Sequence, residues 1–290
     1  MERVKVYCPG SCGELIQGVI YGRELLISYP IELGTVVSIE ISEKKDTEKL
    51  TPKIESAAEK TLEFLGIPKR FLENIKIRKT SSLPLGKGMS SSTADIASVI
   101  FGIGVLFGIE LDSHKIAKIS VSIEPTDSII FEDITLFDSL RGEFILPIVP
   151  VPSLKVIVLE GKGSVDTLEY HDRRGKQVYS YADEWEEAYS LMERSLKRGD
   201  WNGVGNASIK SALIQQRILP KPHLHEIIKC ALDLGAYGIN VAHSGTAVGI
   251  FMGERKDETP IVNRLKEMGI LDAYERYHIT RMVKGGPRVL

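Results

Sequence analysis

The segment Pro84-Leu85-Gly86-Lys87-Gly88-Met89-Ser90-Ser91-Ser92-Thr93-Ala94 constrains this chain more than any other feature. It follows Asn74–Lys79, whose apolar residues alternate as in a strand, and it opens an apolar run from about Ser92 to Phe107 that reads as a buried helix. The first turn of a helix has backbone N–H groups without partners and a partial positive charge, so it attracts phosphate oxygens. Gly86 and Gly88 let the backbone approach a ligand closely. Lys87 can add a cation, and Ser91 and Ser92 offer hydroxyls to phosphate or to magnesium, which takes oxygen ligands. A plain Gly/Ser turn capping a core helix has the same composition, so the segment alone does not decide function. It lacks the G-K-[ST] ending of a Walker loop and the third glycine of the dinucleotide fingerprint.

The rest of the chain reads as a mixture of strands and helices, an α+β organisation in both halves. Strands are expected at Val4–Cys8, Glu24–Ser28 and Gly34–Ile41. A helix at Thr51–Leu65 is started by Thr51-Pro52 and stopped by Gly66 and Pro68. A second helix follows the apolar one at Asp112–Ser122, with Asp112 or Ser113 as N-cap. Ile129–Leu146 reads as short strands and turns. Pro147, Pro150 and Pro152 then cluster, which divides the chain into 1–150 and 151–290. Beyond them come a buried strand at Leu154–Leu159 and helices near Ser180–Lys197, Asp200–Gln215 and Leu224–Leu234. A strand pair at Asn240–Met252, a helix at Thr259–Met268 and a strand at Tyr274–Met282 complete the pattern.

Charge and cysteine usage exclude several classes. The 37 Lys plus Arg stand against 39 Asp plus Glu, a net charge of −2, so no basic excess exists to neutralise a nucleic-acid backbone. No apolar run reaches the ~18 residues of a membrane span, and the N-terminus lacks the pattern of a signal peptide. Cys8, Cys12 and Cys230 make an odd set that reads as reduced thiols in a cytoplasmic protein. Cys8 and Cys12 have zinc-like spacing, but no second pair follows.

Two carboxylates follow the Asp112–Ser122 helix, in Ser122-Ile123-Glu124-Pro125-Thr126-Asp127-Ser128. Pro125 disfavours the helical state at Glu124, so both acids fall on a loop where they can turn toward a site. The bland alternative is a solvated helix end with Asp127 closing a turn. Other polar residues carry weaker signals. His223 and His225 suit a surface loop, Trp185 and Tyr189 a packed helix face, and Lys44–Lys49 a solvated charge cluster. Glu14, Gln17 and Ser28 are polar groups suited to substrate contact.

Three segments together resemble the motifs of the GHMP kinase superfamily. Pro84 to Ala94 is similar to its phosphate-binding motif, with Thr93 slightly larger than the usual small residue. Cys8-Pro9-Gly10-Ser11-Cys12-Gly13-Glu14-Leu15-Ile16-Gln17-Gly18 resembles the first motif, and His243-Ser244-Gly245-Thr246-Ala247-Val248-Gly249 the third. The wording of the first two, with Glu124-Pro125-Thr126-Asp127-Ser128, looks like the L-threonine kinase branch, which serves cobalamin synthesis. The resemblance implies a two-domain fold, with a left-handed βαβ unit in the N-terminal α+β domain and a ferredoxin-like plait in the C-terminal one. It implies ATP along Pro84–Ala94, Mg²⁺ on Ser92 and Glu124, and Asp127 as the catalytic aspartate. It places a small hydroxy amino acid among Ser11, Cys12, Glu14, Gln17, His243, Ser244 and Gly245. The partner would be that small molecule, in a protein open to homodimer formation. Many superfamily members pair the catalytic Asp with a Lys of the first motif. Here that position is Ser11 or Cys12, which leaves open whether Asp127 abstracts a proton or only orients the hydroxyl. Homoserine kinase or another small-molecule kinase of the same fold, and a non-catalytic ligand-binding regulator of that fold, are the alternatives.

Overall fold

The computed structural model describes residues 3–42, 50–165, 170 and 175–290, so the Lys44–Lys49 cluster lies outside the described residues. The chain begins with a long hairpin of β1 (Arg3–Ile20) and β2 (Arg23–Ile41), paired antiparallel from Arg3↔Glu40 to Ile20↔Arg23. Tyr21 and Gly22 both take positive φ at its tip, the conformation that a two-residue hairpin turn requires. β3 (Ile75–Ser81) and β4 (Ile134–Phe137) add to β2, and β5 (Ile145–Val149) to β4. β5 forms one end of the sheet and contains Pro147, a residue suited to edge strands because it donates no ladder bond.

Past Pro150 and Pro152, β6 (Leu154–Gly161), β7 (Gly238–Val241), β8 (Val248–Gly253) and β9 (Tyr274–Arg281) form a ladder in the order β7-β8-β6-β9. With the helices between β6 and β7 and between β8 and β9, this is the strand order of a ferredoxin-like plait. The two ladders meet where Glu14 of β1 pairs with Val241 of β7. β10 (Arg288–Val289) returns to β1.

Helices α1 (Pro52–Phe64), α2 (Ser91–Leu106) and α3 (Ser113–Val121) belong to the first half. α2 is apolar on all sides because it is enclosed, with buried residues from Thr93 to Leu106. α3 starts as expected, with the Asp112 carboxylate accepting from Lys115 N at 2.8 Å. The second half carries α4 (Ala182–Arg198), α5 (Trp201–Gln216), α6 (Leu224–Asp233) and α7 (Thr259–Glu267). α4 seats Trp185 and Tyr189 in the core, as their helical spacing predicts. Gly18 of β1 makes room for it, since a Cβ there would come within 2.1 Å of the Trp185 ring. His223 and His225 are exposed at the start of α6. One apolar cluster joins β1, β2 and α2 to Trp185, Met192, Leu196 and Phe251 of the second half. No helix of the described residues is long and apolar enough to cross a membrane.

Candidate active site

The Pro84–Ala94 loop gets its shape from its carbonyls. Gly86 O accepts from Val165 N (2.8 Å), and Lys87 O from Thr246 N and Ala247 N (3.0 Å each). Gly88 O accepts from Gly13 N (3.1 Å), and Met89 O from Ser11 N (3.2 Å). Four successive carbonyls are thus bound to surrounding protein, and the loop runs directly into the N-terminus of α2, where first-turn N–H groups have no intrahelical partner. The path needs positive φ at Gly86 (69°) and Gly88 (75°). Ser90 also adopts the left-handed region, at φ 55°, as the N-cap of α2. Such a conformation costs a non-glycine residue on the order of 1 kcal/mol. The Ser90 hydroxyl lies 2.5 Å from that of Ser11, which helps to hold it there.

This loop forms one wall of a cavity of about 330 Å³. Leu85, Gly86, Gly88, Met89, Ser90, Ser91, Ser92 and Thr93 line it, whereas Pro84, Lys87 and Ala94 do not. Glu14, Gln17, Glu124, Asp127 and Ser244 line it as well. Residues far apart in sequence, from the first motif, the helix end and the third motif, are therefore gathered around one space.

Asp127 reaches the cavity because α3 has ended and its loop is pinned. Thr126 N donates to Ser139 O at 2.9 Å, and Asp127 N to the Thr93 hydroxyl at 3.2 Å. Burial pushes the Asp127 carboxyl up to about 7. The Glu14 and Glu124 charges push the same way, against hydrogen bonds from Ser90 and Thr93. With Ser11 and Cys12 at the first-motif position, no cation figures among these influences. Burial likewise raises Glu14 to about 7, opposed by its hydrogen bond from His243 N and by the charge of Lys221.

Glu14 is held from behind. Its Oε2 accepts from His243 N (2.8 Å) and from His243 Nδ1 (3.1 Å). Nδ1 also lies 3.2 Å from Val241 O, which can only accept, so Nδ1 carries a hydrogen; Nε2 is hydrogen-bonded with the Ser211 hydroxyl at 3.1 Å. His243 is 2 % exposed. From the sequence, a contact to the ligand and a packed, hydrogen-bonded place were both open to it; the structure sets it behind the wall, as a support for Glu14. Ser11 supports Ser90. Gly245 packs so closely on the loop that a Cβ would meet Lys87 O at 2.3 Å. Cys12 is buried in the core, where its carbonyl accepts from Asn240, whose Oδ1 takes the Tyr29 hydroxyl at 2.6 Å. Ser28 is buried, with its N–H on the Ser128 hydroxyl at 2.8 Å. These residue types announced polarity in the sequence, but not the side of the wall on which each would stand.

Lys87 is a further correction. Its ammonium turns away from the cavity, to Gly161 O (2.7 Å), Gly163 O (2.8 Å) and Glu275 Oε2 (2.6 Å). The cations that line the cavity among the described residues are Lys53, paired with Glu124 at 2.5 Å, and Lys79, paired with Asp95 at 2.5 Å. The Ser92 hydroxyl is buried and has no partner, and so has Gln17 Oε1. Sequence reasoning passed over Lys53 and Lys79 because a solvated lysine on a helix or strand looks the same. It also passed over Lys221, a buried lysine whose ammonium donates to Leu219 O at 3.0 Å and which burial lowers to about 7. Its place between Pro220 and Pro222 gave no signal of burial.

Residues 52–131 match the family model for the GHMP kinases N terminal domain, and residues 192–271 that for the GHMP kinases C terminal. The chain is 33% identical over 285 residues to an L-threonine kinase of Salmonella typhimurium, covering 97% of this chain and 94% of that one. It is 32% identical to an L-threonine kinase of Citrobacter freundii, covering 96% and 97%. A homoserine kinase from Cytophaga hutchinsonii shares the fold, with a TM-score of 0.78 at 18% identity over 100% of this chain and 98% of that one. The chain belongs to the GHMP kinase family, with the two-domain fold of that family.

Proposed function

We propose that this protein is an L-threonine kinase, transferring the γ-phosphoryl group of ATP to the side-chain hydroxyl of L-threonine to give O-phospho-L-threonine and ADP. The observation that carries the reading is the placement of Asp127 and Glu14 in one cavity with the N–H-lined loop at the start of α2. The ATP phosphates lie along the loop and the N-terminus of α2, whose first-turn N–H groups have no intrahelical partner. The acceptor lies between Asp127 and the Glu14, Gln17 and Ser244 side. Its hydroxyl oxygen forms the new bond to the γ-phosphorus while the bond from that phosphorus to the β-bridging oxygen breaks. Asp127 takes the hydroxyl proton, and ADP leaves. A carboxylate raised to about 7 is better matched to that transfer than an ordinary aspartate, so its environment favours a base over a mere orienting group.

Mg²⁺ fits the residues present. The unpartnered, buried Ser92 hydroxyl and the Glu124 carboxylate are hard oxygen donors in the cavity wall and would hold it. Bound there, it would neutralise phosphate charge. Glu14 is the group suited to the amino group of the acceptor. The named relatives support threonine as that acceptor, and the first- and second-motif resemblance supports a place in the aminopropanol arm of cobalamin synthesis, in the cytoplasm.

The test is ADP release across threonine, serine, homoserine and mevalonate, followed by mass spectrometry of the product. Phosphothreonine is expected. Rapid formation of phosphohomoserine with no phosphothreonine would sink the substrate and spare the kinase class.

A further inference from the structure

Lys87 occupies the middle of the phosphate-facing loop, yet its side chain is only 8 % exposed and points into the C-terminal half. Gly86 and Gly88, both at positive φ, turn the chain so that the side chain between them leaves on the face opposite the cavity. There the ammonium meets three acceptors within 2.8 Å, the carbonyls of Gly161 and Gly163 at the end of β6 and the carboxylate of Glu275 on β9. A fourth group lies just beyond, Glu160 Oε1 at 3.7 Å. Glu160 is 1 % exposed, and its other oxygen is held by Arg276 and by His278, each at 3.1 Å. Glu160 Oε1 has no hydrogen bond of its own, so the Lys87 charge is the compensation on that side.

The same loop is tied to the same region through its backbone. Val165 N donates to Gly86 O, and the Thr246 hydroxyl joins Lys87 in binding Gly161 O, at 3.2 Å. A buried ammonium with several charge-assisted bonds has one low-energy position, so it fixes the backbone that carries it.

We infer that Lys87 is a positioning residue, a latch through which Glu160 and Glu275 hold the loop in its phosphate-binding shape. It sets the affinity for nucleotide without touching it. The inference rests on the reading that this loop receives the ATP phosphates. It is the reverse of what the sequence suggests, because a lysine inside a phosphate loop looks like a phosphate ligand. The two roles make opposite demands on the carboxylates. If Lys87 were a ligand, weakening Glu160 or Glu275 would release it toward the nucleotide. If it is a latch, weakening them loosens the loop.

The experiment compares wild type with Lys87→Met, Glu160→Gln and Glu275→Gln, reading KM for ATP, KM for the acceptor, kcat, and direct titration with a fluorescent ADP analogue. Lys87→Met is expected to raise KM for ATP about 10- to 100-fold, the range for losing charged hydrogen bonds, with acceptor KM and kcat within about threefold. Both carboxylate variants are expected to move KM for ATP the same way. Glu275→Gln would have the smaller effect, about two- to fivefold, because that end of the latch is half exposed. Glu275→Gln alters a surface side chain, so it still reads the latch if Lys87→Met does not fold. An unchanged KM for ATP in Lys87→Met would overturn the latch. So would carboxylate variants that bind nucleotide as well as or better than wild type while Lys87→Met binds worse, since that is the behaviour of a phosphate ligand. Wild-type protein without affinity for ATP would overturn the underlying reading as well, whereas normal wild-type affinity with insensitive variants would overturn the latch alone.

Discussion

The two walls of the cavity solve the problem of holding charge in different ways. The proposed phosphate wall is made of backbone, with Gly86, Lys87, Gly88 and Met89 turning their carbonyls into the protein, and its peptide groups do not titrate with pH. The proposed acceptor side is made of side chains, Glu14 and Asp127, two carboxylates raised to about 7, the first held by His243 and the second hydrogen-bonded to Ser90 and Thr93 where the loop meets α2. Fixed dipoles suit a ligand that is always anionic. Titratable groups suit a hydroxyl that must lose a proton. The contrast implies that damage to one wall should appear in nucleotide affinity, and damage to the other in turnover and pH dependence.

The largest effect should come from the acceptor wall. Asp127→Asn is expected to lower kcat by about 10²–10⁴-fold with nearly unchanged nucleotide affinity. In wild type, kcat/KM should rise by about tenfold per pH unit below about 7 and level off above it, a slope that the variant loses. Stability should move the other way. A carboxyl raised in the folded state contributes stability that is fully present below its unfolded value near 4 and is lost as pH rises through about 7. Removing the charge should therefore raise Tm by a few degrees at pH 8, and by less toward pH 4. Wild-type turnover in the purified variant would show that another carboxylate performs the step.

A smaller effect is expected from the phosphate wall. Gly245→Ala puts a Cβ 2.3 Å from Lys87 O and 2.4 Å from Gly88 N, backbone atoms that cannot swing aside. Displacing the loop by a fraction of an ångström to an ångström should cost about 10²-fold in kcat/KM for ATP while leaving the pH profile in place. A shifted profile with intact nucleotide affinity would break the division between the walls. The smallest effect belongs to Ser92→Ala. Its hydroxyl has no partner to lose, so Tm should hold while metal-dependent turnover falls by about tenfold. Unchanged turnover across a magnesium titration would remove Ser92 from the metal site.

What the sequence could tell followed from periodicity and local chemistry. Asp112 as N-cap, α2 as an enclosed helix, and Glu124 and Asp127 on a loop after α3 all depend on neighbours within a few positions, and all were legible. β1 was cut short at Cys8, because residues Cys8 to Ile20 are buried on both faces and the alternation that marks a half-buried strand vanishes there. The pairing shifts at Pro9/Gly10, Ser11/Glu14 and Glu14/Ile16 disguise it further. Lys87 and His243 were placed at the ligand because a sequence shows charge but not direction. Their orientation is set by Glu275 and Ser211, partners distant in the chain that no local pattern announces.

The bulged strand β1 has one more consequence. It pairs with β2 along its length, with β7 at Glu14 and with β10 near its start, and its apolar residues share a cluster with Trp185 and Phe251. A segment packed into both halves cannot unfold with one and stay folded with the other. Heat or denaturant should then melt the molecule in a single cooperative step, with the amides of β1 among the slowest to exchange with solvent. Because its contacts with β7, β10, Trp185 and Phe251 join residues far apart in sequence, their formation closes large loops, and a fragment of either half should expose the apolar surface that the other was to cover.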